Sequence, residues 1–329
     1  MKIKYTLDKR TEIMEIMLTL TDYFDRIPKL RVPTEFDYAV DVKNYFSQYK
    51  NHRAVKLLTE IIHELSFNYD APIALMWQLN SDFSINELLK YPFETRLGRS
   101  PKVLEFIKEI RNFTIDSKYD EFYKKHTRVY QKWIEDTKSK VDENLLDYMD
   151  NFYKEKLERD YIINLMPLQT HCNYAVENGD QSICNLGAKF SENKLEPYFL
   201  SQKNLDLIQH EFSHPLINPL TDKYFDARRM PPLPDEVKEK MRNLAYGSIS
   251  TYVNEQIIRC TTILYSNNLY GEEYEETLIK QEEDIGFIHT RAVLQALKEY
   301  EKQDVPLRKY FPKILEEFYK PLNNSLLLN

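Results

Sequence analysis

His210-Glu211-Phe-Ser-His214 sets two imidazoles four residues apart with a carboxylate directly after the first. On a helix that spacing puts both histidines on one face, one turn apart, so both can reach a single metal ion while Glu211 stands beside it. With 7 His and 31 Glu in 329 residues, chance would produce this pattern about 0.01 times in a chain this long. The bland alternative is a helix that happens to carry two unrelated histidines. A catalytic zinc takes three protein ligands plus water, so a third ligand must come from elsewhere in the chain.

The extended pattern with Gly at 217 and His at 220 is excluded, because Ile217 and Leu220 stand there. The remaining source is a glutamate on a later helix, and Glu255 lies in the strongly apolar stretch Ile249–Leu264. A carboxylate in such a segment needs a partner that offsets its desolvation. A metal would be one; Arg259, one turn on, would be another. For a second donor to the oxyanion of the reaction, helical spacing points to Tyr252 and Arg259, with Tyr252 the choice and a plain packing role its competitor. Asp206, Asn218 and Arg259 are the candidates to orient the histidines from behind.

The set His210, Glu211, His214 and, forty residues on, Asn254-Glu255 resembles the gluzincin branch of zinc metallopeptidases. The resemblance implies one Zn2+ per chain and hydrolysis of peptide or protein substrates. Glu211 would act as general base toward a metal-activated water. In that branch an Asp four residues after the Glu steadies a ligand histidine; Arg259 occupies the position here. Two other readings stay open: a helical interaction protein that is inactive or keeps a structural metal, and a zinc hydrolase acting on a non-peptide amide. The chain also resembles an uncharacterised bacterial family bearing the same motif, through Tyr69-Asp70-Ala-Pro72 and His214-Pro-Leu-Ile-Asn218-Pro.

Those residues need elements to hold them. Only 6 Gly, five of them after residue 178, favour long helices over a turn-rich all-β design. The expected class is α+β, predominantly α-helical. Residues 1–8 alternate as a half-buried strand, and 10–160 carry helical spacing punctuated by proline. From 161 a zincin-like region is expected, with a small sheet or hairpin and the motif helix; 1–160 and 161–329 are two regions or one continuous domain. Asn178-Gly179 marks a hairpin over 169–187, pairing Glu177 with Asp180 and setting Cys172 and Cys184 on opposite faces, without a disulfide. In the resembled fold an edge strand pairs with extended substrate, which makes Tyr174 and His171 candidates to face it. Pro215 is expected to end or kink the motif helix, leaving 215–234 irregular.

With 45 Lys+Arg against 52 Asp+Glu, the net charge of −7 provides no footprint for nucleic acid. No apolar run reaches the ~20 residues that span a bilayer. Three unpaired cysteines and charges throughout the first twenty residues lead to a cytoplasmic expectation as written, or a secreted or cell-envelope one if a leader has been removed.

Overall fold

The segment Asp160–Thr170 is apolar from Tyr161 to Leu168 except for Asn164, and all but its first residue are buried. Such a run suits a strand covered on both faces. In the computed structural model, which describes residues 2–65, 67–85, 100–192, 194–201, 205–244 and 246–321, it is a central strand, β2. It pairs in parallel with β1 (Lys4–Thr6) and with β4 (Gln181–Ala188), while β3 (Asn173–Asn178) runs antiparallel to β4 at the edge, giving the order β1-β2-β4-β3. With fourteen α-helices and this one sheet among the described residues, the protein is α+β and predominantly helical. None of these helices is long and apolar enough to cross a membrane.

The chain divides into two compact units: Met1–Val141 with Arg159–Asn204, and Asp142–Glu158 with Leu205–Asn329. The division departs from the expected break at 160/161. The strands belong to the first unit, and residues 142–158 join the motif-bearing second one.

In the first unit the sheet is accompanied by α1 (Lys9–Thr19), α2 (Tyr23–Arg26), α3 (Asp37–Phe46), α4 (Arg53–Glu64), α5 (Ala71–Trp77), α6 (Pro101–Asp116) and α7 (Tyr119–Lys138). Every residue from Thr11 to Leu18 is buried, so α1 is a core helix that takes two glutamates inside with it. Glu12 accepts hydrogen bonds from the hydroxyls of Tyr38, Tyr119 and Tyr130, which offsets part of the cost of burying a carboxyl. Glu15 accepts from the Leu168 N–H at 3.2 Å. Asn164, midway along β2, accepts from the Asp8 N–H and donates to Thr11 Oγ1 and Asn185 Oδ1, fastening α1 to two strands.

The hairpin exists, in another register. Asn178 pairs with Gln181 and Glu177 with Ser182, so the two turn residues are Gly179 and Asp180. Only Gly179 of that pair has positive φ (59°), the requirement of a turn in which glycine comes first. Asn178 remains in the strand, its side chain donating to Gln181 Oε1 at 3.1 Å. Before the hairpin, the chain leaves β2 and reverses at His171 (φ 52°), crossing Gly187 so closely that a Cβ there would lie 2.5 Å from the Cys172 carbonyl oxygen. All three cysteines are free.

The regular elements of the second unit among the described residues are helices: α8 (Leu145–Tyr153), α9 (Asp206–Tyr224), α10 (Asp235–Asn243), α11 (Ile249–Tyr270), α12 (Glu275–Ile285), α13 (Thr290–Glu301) and α14 (Leu307–Tyr319). Contrary to expectation, α9 continues through Pro215 and Pro219. Each proline removes a backbone donor, but Pro215 and Ile217 are buried against the unit's interior, and tertiary packing outweighs the local penalty.

Candidate metal centre

Two packed helices, α9 and α11, carry the site. Ser248 caps α11 by accepting from the Thr251 N–H, and Gly271, at φ 99°, ends it. His210 and His214 project from α9 one turn apart, their ring centroids 5.2 Å from each other. Glu255 meets them from α11: His210 Nε2 lies 3.7 Å from Glu255 Oε2, and His214 Nε2 lies 3.6 Å from Oε1. One donor atom from each of the three falls within 4.8 Å of the others.

These separations are too long for hydrogen bonds. They are near the ~3.4 Å edge expected between two ligands bound at ~2.1 Å in tetrahedral geometry. Glu255 is 6% exposed, and its Oε2 is buried without a hydrogen-bond partner. Arg259 Nε approaches that oxygen to 3.4 Å, while the guanidinium spends its Nη1 on Glu282 at 2.9 and 3.2 Å and stacks over Phe287. The Glu255–Arg259 ion pair therefore exists but leaves the carboxylate facing both imidazoles. Burial, then the neighbouring His214 and Arg259 charges, hold His210 well below the usual histidine range. A neutral imidazole keeps the lone pair that a metal needs. A buried carboxylate with an unbonded oxygen opposite two imidazoles is a donor set that fits zinc.

His210 is oriented by a residue the spacing argument passed over. Its Nδ1 lies 3.3 Å from Thr262 Oγ1, which also bonds the Ile258 carbonyl and Gln209 Oε1. Gln209 Nε2 donates to Ser213 Oγ and Thr261 Oγ1, and Tyr153 of α8 donates to Ser213. Gln209 and Ser213 are wholly buried; polar residues four apart on a core helix were the one sequence signal of this network. The three proposed orienting residues have other surroundings. Asp206 accepts from Ser266, Asn218 Oδ1 has no hydrogen-bond partner, and Arg259 addresses the two glutamates rather than a histidine.

Glu211 is buried at 6% exposure. Its charge and that of Glu255 both act on Tyr246, whose hydroxyl is pushed up to about 12 by burial first and then by Glu255, with Arg259 opposing. The Tyr246 hydroxyl lies 3.5 Å from Arg259 Nη2. Tyr246 precedes α11, out of reach of any helical spacing rule. Tyr252, the residue that rule selected, is 1% exposed and turned into the unit's core. Its hydroxyl is 2.8 Å from His289 Nδ1 and 3.3 Å from Gln256, and its ring stacks on Phe287. Tyr174 is likewise a packing residue, buried in the first unit among Ile73, Trp77, Ile162 and Val176. His171 forms the exposed reversal after β2.

Over residues 3–322 the chain matches the family described as Domain of unknown function (DUF4932), and it belongs to that family. No curated protein and no solved structure matches it.

Proposed function

We propose that this protein is a zinc-dependent hydrolase of peptide bonds, with His210, His214 and Glu255 as metal ligands and Glu211 as general base. The observation that carries the reading is the unbonded, buried Glu255 Oε2, 3.7 Å from His210 Nε2, with His214 Nε2 3.6 Å from the other carboxylate oxygen. Arg259 approaches that oxygen to 3.4 Å without a hydrogen bond, so a further cation between carboxylate and imidazoles would compensate the desolvated charge more fully. Three protein donors is the number of a catalytic zinc, whereas a structural zinc takes four; the cluster offers three among the described residues.

Bound zinc would supply Lewis acidity toward the scissile carbonyl and acidify a water. Glu211 takes that water's proton and returns it to the leaving amine. Tyr246, whose hydroxyl meets Arg259 at 3.5 Å, donates a hydrogen bond to the developing oxyanion. Arg259, anchored by Glu282, pairs with Glu255 and holds the Tyr246 hydroxyl in place.

The test is metal content with turnover of a mixed peptide library. The native chain is expected to bind one zinc and cleave peptides, and Glu211→Gln to keep the zinc while losing at least ~1000-fold in rate. Zinc bound without cleavage of any peptide would favour the structural-metal reading or a non-peptide amide as substrate.

A further inference from the structure

The second unit contains a cavity of about 370 Å³ that none of the proposed ligands lines. One wall is the connection after α9, with Met230, Pro231 and Leu233; the other is α10, with Lys238, Met241 and Arg242. Its prolines hold that connection extended and remove backbone donors, so the wall is apolar by backbone as well as by side chain. Two methionines make it adaptable in shape. The volume lies at the low end of small-ligand sites, roughly 300–1000 Å³, suiting one or two side chains rather than a folded partner.

Tyr246 belongs to both places. It lines the cavity, and its hydroxyl is 3.5 Å from Arg259, whose Nε is 3.4 Å from Glu255. Two side chains thus separate the cavity from the metal donors. At the rim, Lys238 and Arg242 stand one helical turn apart on the cavity face of α10. Lys238 shares its charge with the exposed Asp235 at 2.9 Å, and Arg242 forms no ion pair among the described residues. Asp235 acts on both cations from outside the cavity, but the lining itself carries Lys238 and Arg242 and no carboxylate, which favours an anionic group there.

We propose that this cavity seats an apolar side chain of the substrate, and that Arg242 and Lys238 bind a carboxylate next to it; the inference rests on the peptidase reading of the metal centre. The class of substrate is a peptide with an aliphatic residue adjacent to a carboxylate, supplied by an acidic side chain or by the chain's own C-terminus. Gly247 offers a way to close the cavity. It lines the wall, and a Cβ built there meets only Arg242 Cγ at 3.9 Å, so a large side chain can enter without displacing backbone.

The experiment uses the full-length, zinc-loaded Glu211→Gln protein, which holds peptide without consuming it. Calorimetry compares hexapeptides containing Leu-Glu, Ala-Glu or Leu-Gln internally, and one ending in Leu with a free carboxylate. Replacing Leu by Ala is expected to weaken binding at least ~10-fold. Neutralising the carboxylate should cost at least ~5-fold, and whichever of the internal and terminal forms binds tighter identifies its source. Gly247→Phe should abolish the Leu preference; Arg242→Glu, a solvent-exposed change, should abolish the carboxylate preference and guards against a folding defect in the first variant. Equal affinities for all peptides, or preferences that survive both substitutions, overturn the cavity assignment, even if the active chain cleaves them all. Preferences lost in both variants, without cleavage by the active chain, uphold the cavity and remove the peptidase reading instead.

Discussion

Thr262 Oγ1 lies 3.3 Å from Nδ1 of His210, seven residues beyond Glu255 on the same helix, so α11 delivers both a proposed ligand and the group that orients another. A hydrogen bond at Nδ1 fixes the tautomer that leaves Nε2 free for metal. Thr262→Val is expected to weaken zinc binding about 10-fold, and Thr262→Ser to restore most of it. Competition with a chromogenic chelator measures both; equal affinities for all three proteins would show that Thr262 has no part in orienting His210.

Tyr246 and Tyr252 separate by readout. Tyr246→Phe keeps the ring and the zinc but loses the hydroxyl beside Arg259, so kcat should fall about 10- to 100-fold with KM little changed. Tyr252→Phe removes buried bonds to His289 and Gln256, and should cost about 1 kcal/mol of stability while kcat is retained. Steady-state kinetics beside urea denaturation distinguishes them, and a reversed pattern would return the oxyanion role to Tyr252.

Metal should be linked to stability through Glu255. At free zinc 100 times Kd the folded state gains about 2.7 kcal/mol, visible as a rise in Tm that a chelator reverses. Glu255→Ala should abolish the rise. If the variant still responds to zinc as the native chain does, the ion binds elsewhere.

Glu15 gives the first unit a defined pH response. Burial holds its carboxyl well above the ordinary value of 4.5. Between 4.5 and the folded value, the native state keeps a proton that the unfolded chain has released. The contribution is therefore fully present below 4.5 and is lost as pH rises through the folded value. Glu12 is raised too, again by burial, and adds the same sign. Glu15→Gln should flatten the decline of unfolding free energy above pH 5 by up to about 1.4 kcal/mol per pH unit. Identical slopes for native and variant chains would mean that Glu15 is ionised in the folded protein.

Much of the candidate site was legible because it is written in helical periodicity. His210 and His214 share a face by spacing alone, and an apolar helix that carries Glu255 signals a carboxylate in need of a partner. The same periodicity misled at Tyr252. Twelve of the 22 residues of α11 are buried, spread around the helix, so proximity to Glu255 along the chain does not say which neighbouring helix a side chain meets. Tyr246 escaped because it precedes the helix. The hairpin was recognisable from Asn178-Gly179, yet its register depended on which residue pairs β4 could bury, and that moved the turn by one position.

By itself the sequence determined the class of fold, the one-turn separation of the histidines and the choice of Glu255, since these follow from local geometry and the cost of burying charge. Tertiary structure alone decided that the strands share a unit with α1–α7 rather than with the motif helix, that α9 survives two prolines, and that Thr262 meets His210 and Tyr246 meets Arg259. Those outcomes depend on which surfaces exclude water together. That is a balance over residues far apart in the chain, which no local spacing records.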